Sequence, residues 1–221
     1  MSLDPSYDPE RLYLAVGSDM NPSRPIFTGD VIREVEIPGV GPTAAVVVSH
    51  PCSIRGHAGA LEKQMLVAAV EVHQKQPSEK WSTGFFDRMP LPGLPLAGDF
   101  HVARLGRIGL AETADVARAD RVACLSELGI NQLQQRLVFH QTRLVVPTST
   151  FHEAFSHTYE EAELLENWVT DLDSAMTDPV AAFETWIREG SPNRQERLRD
   201  HAERASIRRE LGREVRRLRE G

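Results

Sequence analysis

The sequence predicts an α+β fold, a small and mostly antiparallel β-barrel followed by a C-terminal helical extension. All the strand-like runs lie before Ser126 and the helical runs follow it, the order of α+β folds rather than of a doubly wound parallel sheet. The strand-like runs are joined by turn chemistry, as at Pro38-Gly39-Val40-Gly41-Pro42. One of them, Ala44 to Ser49, is apolar on both faces and is therefore expected at the centre of a covered sheet. With 221 residues, 41% of them hydrophobic, the chain has enough apolar material for one domain of ordinary size, or one domain and an appendage.

Residues 1–24 read as an irregular arm. Pro5, Pro9, Gly17 and Pro22 interrupt them, and one apolar piece, Leu12 to Val16, is expected to dock on the body. The barrel domain is expected over residues 25–143, with about five strands. Phe27, Val31, Ile32, Val35 and Ile37 mark the first; Ala44 to His50, Gln64 to Val72, Phe100 to Ile108 and Asp120 to Leu125 mark the others. Residues 73–98 form a Pro/Gly-rich insertion, because LPGLPLAGD can neither stay helical nor lie mid-sheet. Ser126 is placed to cap a helix running to His140 or Arg143, with Ile130, Leu133 and Leu137 on its apolar side.

Residues 144–221 make the helical extension. A helical start at Ser149 to Glu153 precedes a strong helix over 160–175 carrying Leu164, Leu165, Trp168, Val169 and Leu172. Asp178 caps another, with Pro179 at its first position and Val180, Phe183, Trp186 and Ile187 as its stripe. Trp168, Phe183 and Trp186 are expected in the core of the extension rather than as a stacking surface for bases. Gly190-Ser191-Pro192 ends that helix. In the arginine-rich helix that follows, Leu198, Ile207, Leu211, Val215 and Leu218 read as too sparse for deep burial.

Charge is unevenly distributed. From Arg188 onward eleven arginines face seven acids, a surplus of four, which leaves about −11 of the net −7 on residues 1–187. An acidic body repels phosphate, so nucleic acid is a possible but disfavoured partner, with the arginine-rich end as its only plausible contact. A protein partner, or self-association, through the helical extension is expected instead. Mixed signs on that helix, and Glu160, Glu161, Glu163 and Glu166 at the start of an earlier one, read as solvated faces. Two cysteines far apart, Cys52 and Cys124, suit free thiols rather than a disulfide scaffold. The absence of a basic leader and of a long apolar run makes a cytoplasmic location and no membrane contact the expectation.

Gly29-Asp30-Val31-Ile32, Ala45 to Ser49, Met65 to Val70, and Asp120 to Leu125 ahead of the Leu128–Leu137 helix resemble the parts of the small, SH3-like barrels of the MazF/PemK toxin family. The likeness spans about residues 25–140. It implies a barrel of that type and, for a catalytic member, a ribonuclease of the toxin–antitoxin kind. Such ribonucleases carry an arginine in the first turn and a hydroxyl closing the third strand, to stabilise phosphate charge and assist proton transfer. Here the turn is PGVGPTAA and the strand ends Glu71-Val72-His73-Gln74, so no catalytic residue carries over. Arg24 and Arg55 are the cations available to replace the missing one.

VVVSHPCSIRGH, Val46 to His57, is the most chemically loaded stretch, and it admits three readings. His50, Cys52 and His57 supply zinc-ligand types, with His73 or His101 as a fourth ligand, although the Cys-x-x-Cys signature is absent. Cys52 beside His50 or His57 can act as a thiol nucleophile. Structurally, the run is a central strand ended by Pro51, with Cys52 packed beneath the loop. The structural reading is favoured, and Ser49, His50, Ser53, Arg55 and His57 are the candidate ligand-binding residues; Arg55, Cys52, His57 and Arg24 are the candidate catalytic ones. No cofactor or resident metal is expected. The function expected is that of a non-catalytic or catalytically degenerate interaction module; a MazF/PemK-like ribonuclease with a relocated cation and a thiol- or zinc-dependent enzyme are the alternatives.

Overall fold

The computed structural model describes residues 2–4, 9–55, 60–172 and 175–220, without the side chains of Pro9 and Cys52. The chain divides into two compact units. The first comprises residues 1–20, 26–54 and 62–153; the second comprises 21–25, 55–61 and 154–221.

The first unit carries, in order, α1 (Pro9–Leu12), β1 (Tyr13–Val16), β2 (Asp30–Ile37), β3 (Gly41–Val47), α2 (Pro51–Ile54), β4 (Gln64–Val72), α3 (Ser78–Thr83), β5 (Arg88–Leu91), β6 (His101–Glu112), α4 (Thr113–Arg118), β7 (Arg121–Leu125) and α5 (Glu127–Thr142). The strands form one antiparallel sheet in the order β1-β7-β2-β3-β4-β6-β5. This is the α+β class that the sequence predicts, a curled sheet followed by helices. The curl is evident at Gly109. Two strands separate β6 from β2 in the order, yet a Cβ at Gly109 would stand 2.5 Å from Ile37 Cγ2. Ile32, Val35, Ile37, Ala45, Val47, Ile54, Met65, Val67, Ala69, Ala111 and Val116 fill one core of this unit.

Strand β3 is buried on both faces from Ala45 onward, in register with β2 (Val31 opposite Val46) and β4 (Val47 opposite Val67). The apolar run that predicts a covered strand therefore ends up central. At the opening of β2, Gly29 has φ 86°, and a Cβ there would be 2.9 Å from both Leu125 and Ile130. Only glycine fits such a turn without strain. The neighbouring Asp30 is fully buried, accepting from Phe27 N at 3.0 Å and from Arg121 Nη1 at 2.8 Å. The Gly-Asp pair is thus a turn and an anchor.

Among the described residues the sheet has seven strands rather than five. The additional two, β1 and β5, are four-residue edge strands, too short to show a period of two. The apolar piece of the N-terminal arm is β1, paired with β7. Within the Pro/Gly-rich stretch, β5 tolerates Pro90 because it is an edge.

The second unit is built from α6 (Thr148–Leu172, of which residues 154 onward belong to it), α7 (Pro179–Ile187), α8 (Arg194–Arg197) and α9 (His201–Glu220). The two predicted helical starts merge into one α6, since neither proline nor glycine falls between Thr148 and Leu172. Asp178 Oδ1 accepts from Ala181 N at 3.0 Å as the cap of α7, and Asn193 and Glu196 form a capping box on α8. Trp168, Phe183 and Trp186 pack with ring centroids 5.4–5.8 Å apart at the heart of this unit.

The arginine-rich helix departs from expectation. Ile207, Leu211 and Val215 on α9 are buried, as is Leu198, which caps α8 ahead of it. Spaced four apart, Ile207, Leu211 and Val215 make one narrow apolar row, and flanking arginines turn outward into ion pairs, so a narrow row suffices. Among the described residues no helix is long and apolar enough to cross a membrane.

Candidate functional site

The loaded stretch begins as structure. Beyond the last residue of β3, Val48 N and Ser49 N donate to the Leu66 carbonyl at 3.0 and 3.2 Å. The buried Ser49 hydroxyl accepts from Leu66 N at 2.7 Å, and its carbonyl accepts from the Thr28 hydroxyl. Ser49 therefore prolongs the β3–β4 pairing by way of its side chain. His50 is half-buried; burial holds its imidazole below the ordinary value, which favours the neutral ring. Its carbonyl accepts from Ser53 N at 2.7 Å to close α2, and Ser53 is exposed. The Cys52 side chain and His57 lie outside the described residues.

The histidines proposed as a fourth metal ligand are engaged elsewhere in the first unit. His73 approaches Gln74 O through Nδ1, accepts from Arg88 through Nε2, and packs against Trp81 and Phe85. His101 Nε2 lies 3.0 Å from Ala97 O. Among the described residues no group of three or more His, Cys, Asp or Glu is placed to hold a metal ion.

Arg24 and Arg55 belong to the second unit, and carboxylates face both. Arg24 Nη1 is 2.5 Å from Glu166 Oε2. Asn21 donates to Glu166 Oε1 at 3.1 Å and to Thr170 Oγ1 at 3.0 Å, and it accepts from Ser23 N. The segment Asn21–Pro25 is thereby fastened to the second half of α6. Arg55, bridged to Leu61 by backbone pairing, is half-buried, and this burial lowers its pKa; Glu184 and then Glu161 oppose that shift. Glu184 is buried and ion-paired with Arg188 one turn on. Glu161 accepts from Gln195 Nε2 at 3.0 and 3.1 Å. Arg55, Arg188, Glu161 and Glu184 thus lie within electrostatic reach of one another inside one unit.

The carboxylates of this cluster were not legible as site residues. Glu160 to Glu166 read as a solvated helix start, whereas Glu160 is buried against Arg208 at 2.5 Å and Glu166 holds Arg24. One signal was available. Glu161 lies three, four and seven residues before Leu164, Leu165 and Trp168, on the apolar stripe of α6, and Glu184 follows Phe183 directly. An acid on an apolar stripe needs a cation or a donor when the stripe is buried.

The two neighbouring glutamates have opposite electrostatics. Hydrogen bonding to Arg208 holds Glu160 below the ordinary 4.5, so its contribution to stability is complete above that value and is lost as pH falls through the folded one. Burial pushes Glu161 up, and Glu184 adds to this against Gln195, Arg188 and Arg55. Its folded form holds a proton more tightly than its unfolded form, so stability falls as pH rises from 4.5 through the folded value. Glu160→Gln is therefore expected to cost about 1 kcal/mol at pH 7, discounted because Arg208 is half-exposed. Glu161→Gln is expected not to lower the thermal midpoint there. Calorimetry on both variants at pH 4 and pH 7 checks the contrast.

Other arginines of the second unit are similarly committed. Arg194 lies 4.6 Å over the Trp186 ring and donates to Glu210; Arg197 binds Glu203 and Glu210; Arg219 binds Asp171. No known family model and no curated protein matches the chain.

Proposed function

We propose that this protein is a non-catalytic, or catalytically degenerate, MazF/PemK-like interaction module whose helical unit binds a partner chain or a second copy of itself. The observation that carries the reading is the Arg24–Glu166 pair, with Arg55 set among Glu161 and Glu184. A cation that stabilises charge on a transferring phosphate must be aimed at it and not already neutralised. Arg24 is ion-paired with Glu166, and Arg55 lies in the field of Glu184 and Glu161. The β2–β3 turn has no arginine and β4 no closing hydroxyl, which agrees with this.

The test is incubation of the purified protein, in excess, with a long structured RNA, with and without chelator, read on a denaturing gel. Intact RNA in both lanes is the expected result. Chelator-insensitive cleavage that survives repurification and disappears in Arg55→Ala overturns the reading in favour of a ribonuclease.

A further inference from the structure

Helix α9 has two unlike charged faces. Toward the buried row of Ile207, Leu211 and Val215, its flanking arginines are satisfied within the chain. Arg204 reaches Leu198 O and Ser156, Arg208 reaches Glu160 and Glu163, and Arg219 reaches Asp171. At 100° per residue, the opposite face carries Ala202, Ala205, Ser206, Arg209, Arg213 and Arg216, flanked by Gly212 on one side and by Arg217, paired with Glu214, on the other, with Glu220 at its far end. Arg209, Arg213 and Arg216 are exposed, and among the described residues no carboxylate lies within ion-pair distance of them. They put three guanidinium groups along about 10 Å of helix. The small side chains at 202 and 205, and the open space around Gly212, keep the face low enough for another backbone to approach.

We infer that this outward face docks an acidic polypeptide segment of a partner protein through Arg209, Arg213 and Arg216; the inference rests on the interaction-module reading and names the chemistry of the partner. Charge complementarity selects the occupant. A duplex brings one charge per about 1.7 Å, most of it facing a chain of net −7. An acidic segment brings only the few carboxylates that the strip neutralises. Carboxylate is also the partner this helix already takes at Arg208 and Arg219. A second copy is a poorer fit, because the same face on it presents the same three cations.

Fluorescence anisotropy with labelled poly-L-glutamate, and with polyuridylate of equal charge, tests this on the full chain at about 20 mM salt. The wild type is expected to bind poly-L-glutamate more tightly than polyuridylate. The triple variant Arg209→Gln, Arg213→Gln, Arg216→Gln is expected to weaken the former about tenfold or more, whereas Arg199→Gln, an exposed arginine outside the helix, leaves it unchanged. Identical behaviour of triple variant and wild type, including no binding by either, overturns the proposal. So does tighter binding of polyuridylate that depends on the same three arginines. If RNA stays intact in the cleavage assay while the strip proves irrelevant, only this surface is lost and the module reading stands; RNA cleavage removes that reading first.

Discussion

Arg136→Ala is expected to destabilise the first unit by about 3–5 kcal/mol, close to 10 °C in thermal midpoint. Arg136 on α5 is fully buried. It donates from Nη2 to the Trp81 carbonyl at 2.7 Å and from Nη1 to the Arg88 carbonyl at 3.0 Å, so one guanidinium fastens both α3 and β5. Burial pulls its pKa down to about 10, still cationic at neutral pH, with Asp4 opposing the shift. Truncation leaves two carbonyls without their donors and opens a cavity beneath Trp81. That ring packs with His73, Phe85 and Phe100 as a satellite core, so the loss spreads through the insertion. Calorimetry gives the magnitude. Limited proteolysis gives the location: new cleavage within residues 73–98, ahead of any in the sheet, is expected. Arg136→Lys should recover part of the loss, since one ammonium cannot span both carbonyls as the fork does.

The second large effect is expected at Gly129. A methyl group there would fall on the Leu12 carbonyl oxygen, a backbone atom held in place by Ser126 N at 2.9 Å. The Ser126 hydroxyl donates to Arg11 O at 2.6 Å and accepts from Gly129 N, tying the N-terminal segment to the cap of α5. With no flexible side chain to yield, Gly129→Ala must push Leu12 away, at about 2–3 kcal/mol. Hydrogen exchange should show β1 losing protection while β3 and β4 keep theirs. An unchanged β1 would mean that the helix start moves instead.

Much of the fold was legible because it rests on local signals. Ser126 and Asp178 announce their helices through cap chemistry, and the covering of β3 follows from the unbroken apolar run Ala44 to Val48. The two edge strands were not legible as strands, since four residues carry no period and their partners lie far along the chain. The burial of α9 was missed for a different reason. Ile207, Leu211 and Val215 suffice only because Glu160, Glu163 and Asp171 accept the arginines beside them, and that pairing joins residues 45 to 48 apart. The candidate site shows the same limit. Arg24 and Arg55 could be picked out as cations, but nothing near them in sequence names the carboxylates that face them.

The second unit is assembled from three separate stretches, and this has a consequence for the timing of its birth on the ribosome. Arg24 and Arg55 are synthesised well before the acids they face, with 129 residues separating Arg55 from Glu184. At about 5–20 residues per second, Arg55 waits on the order of ten seconds for its last carboxylate. During that interval the strands of the first unit have all been made, and the acids that face the two arginines have not. A ribosome that stops at residue 153 releases a chain that has all the strands of the sheet but none of Glu161, Glu166 and Glu184, the carboxylates that face its two arginines.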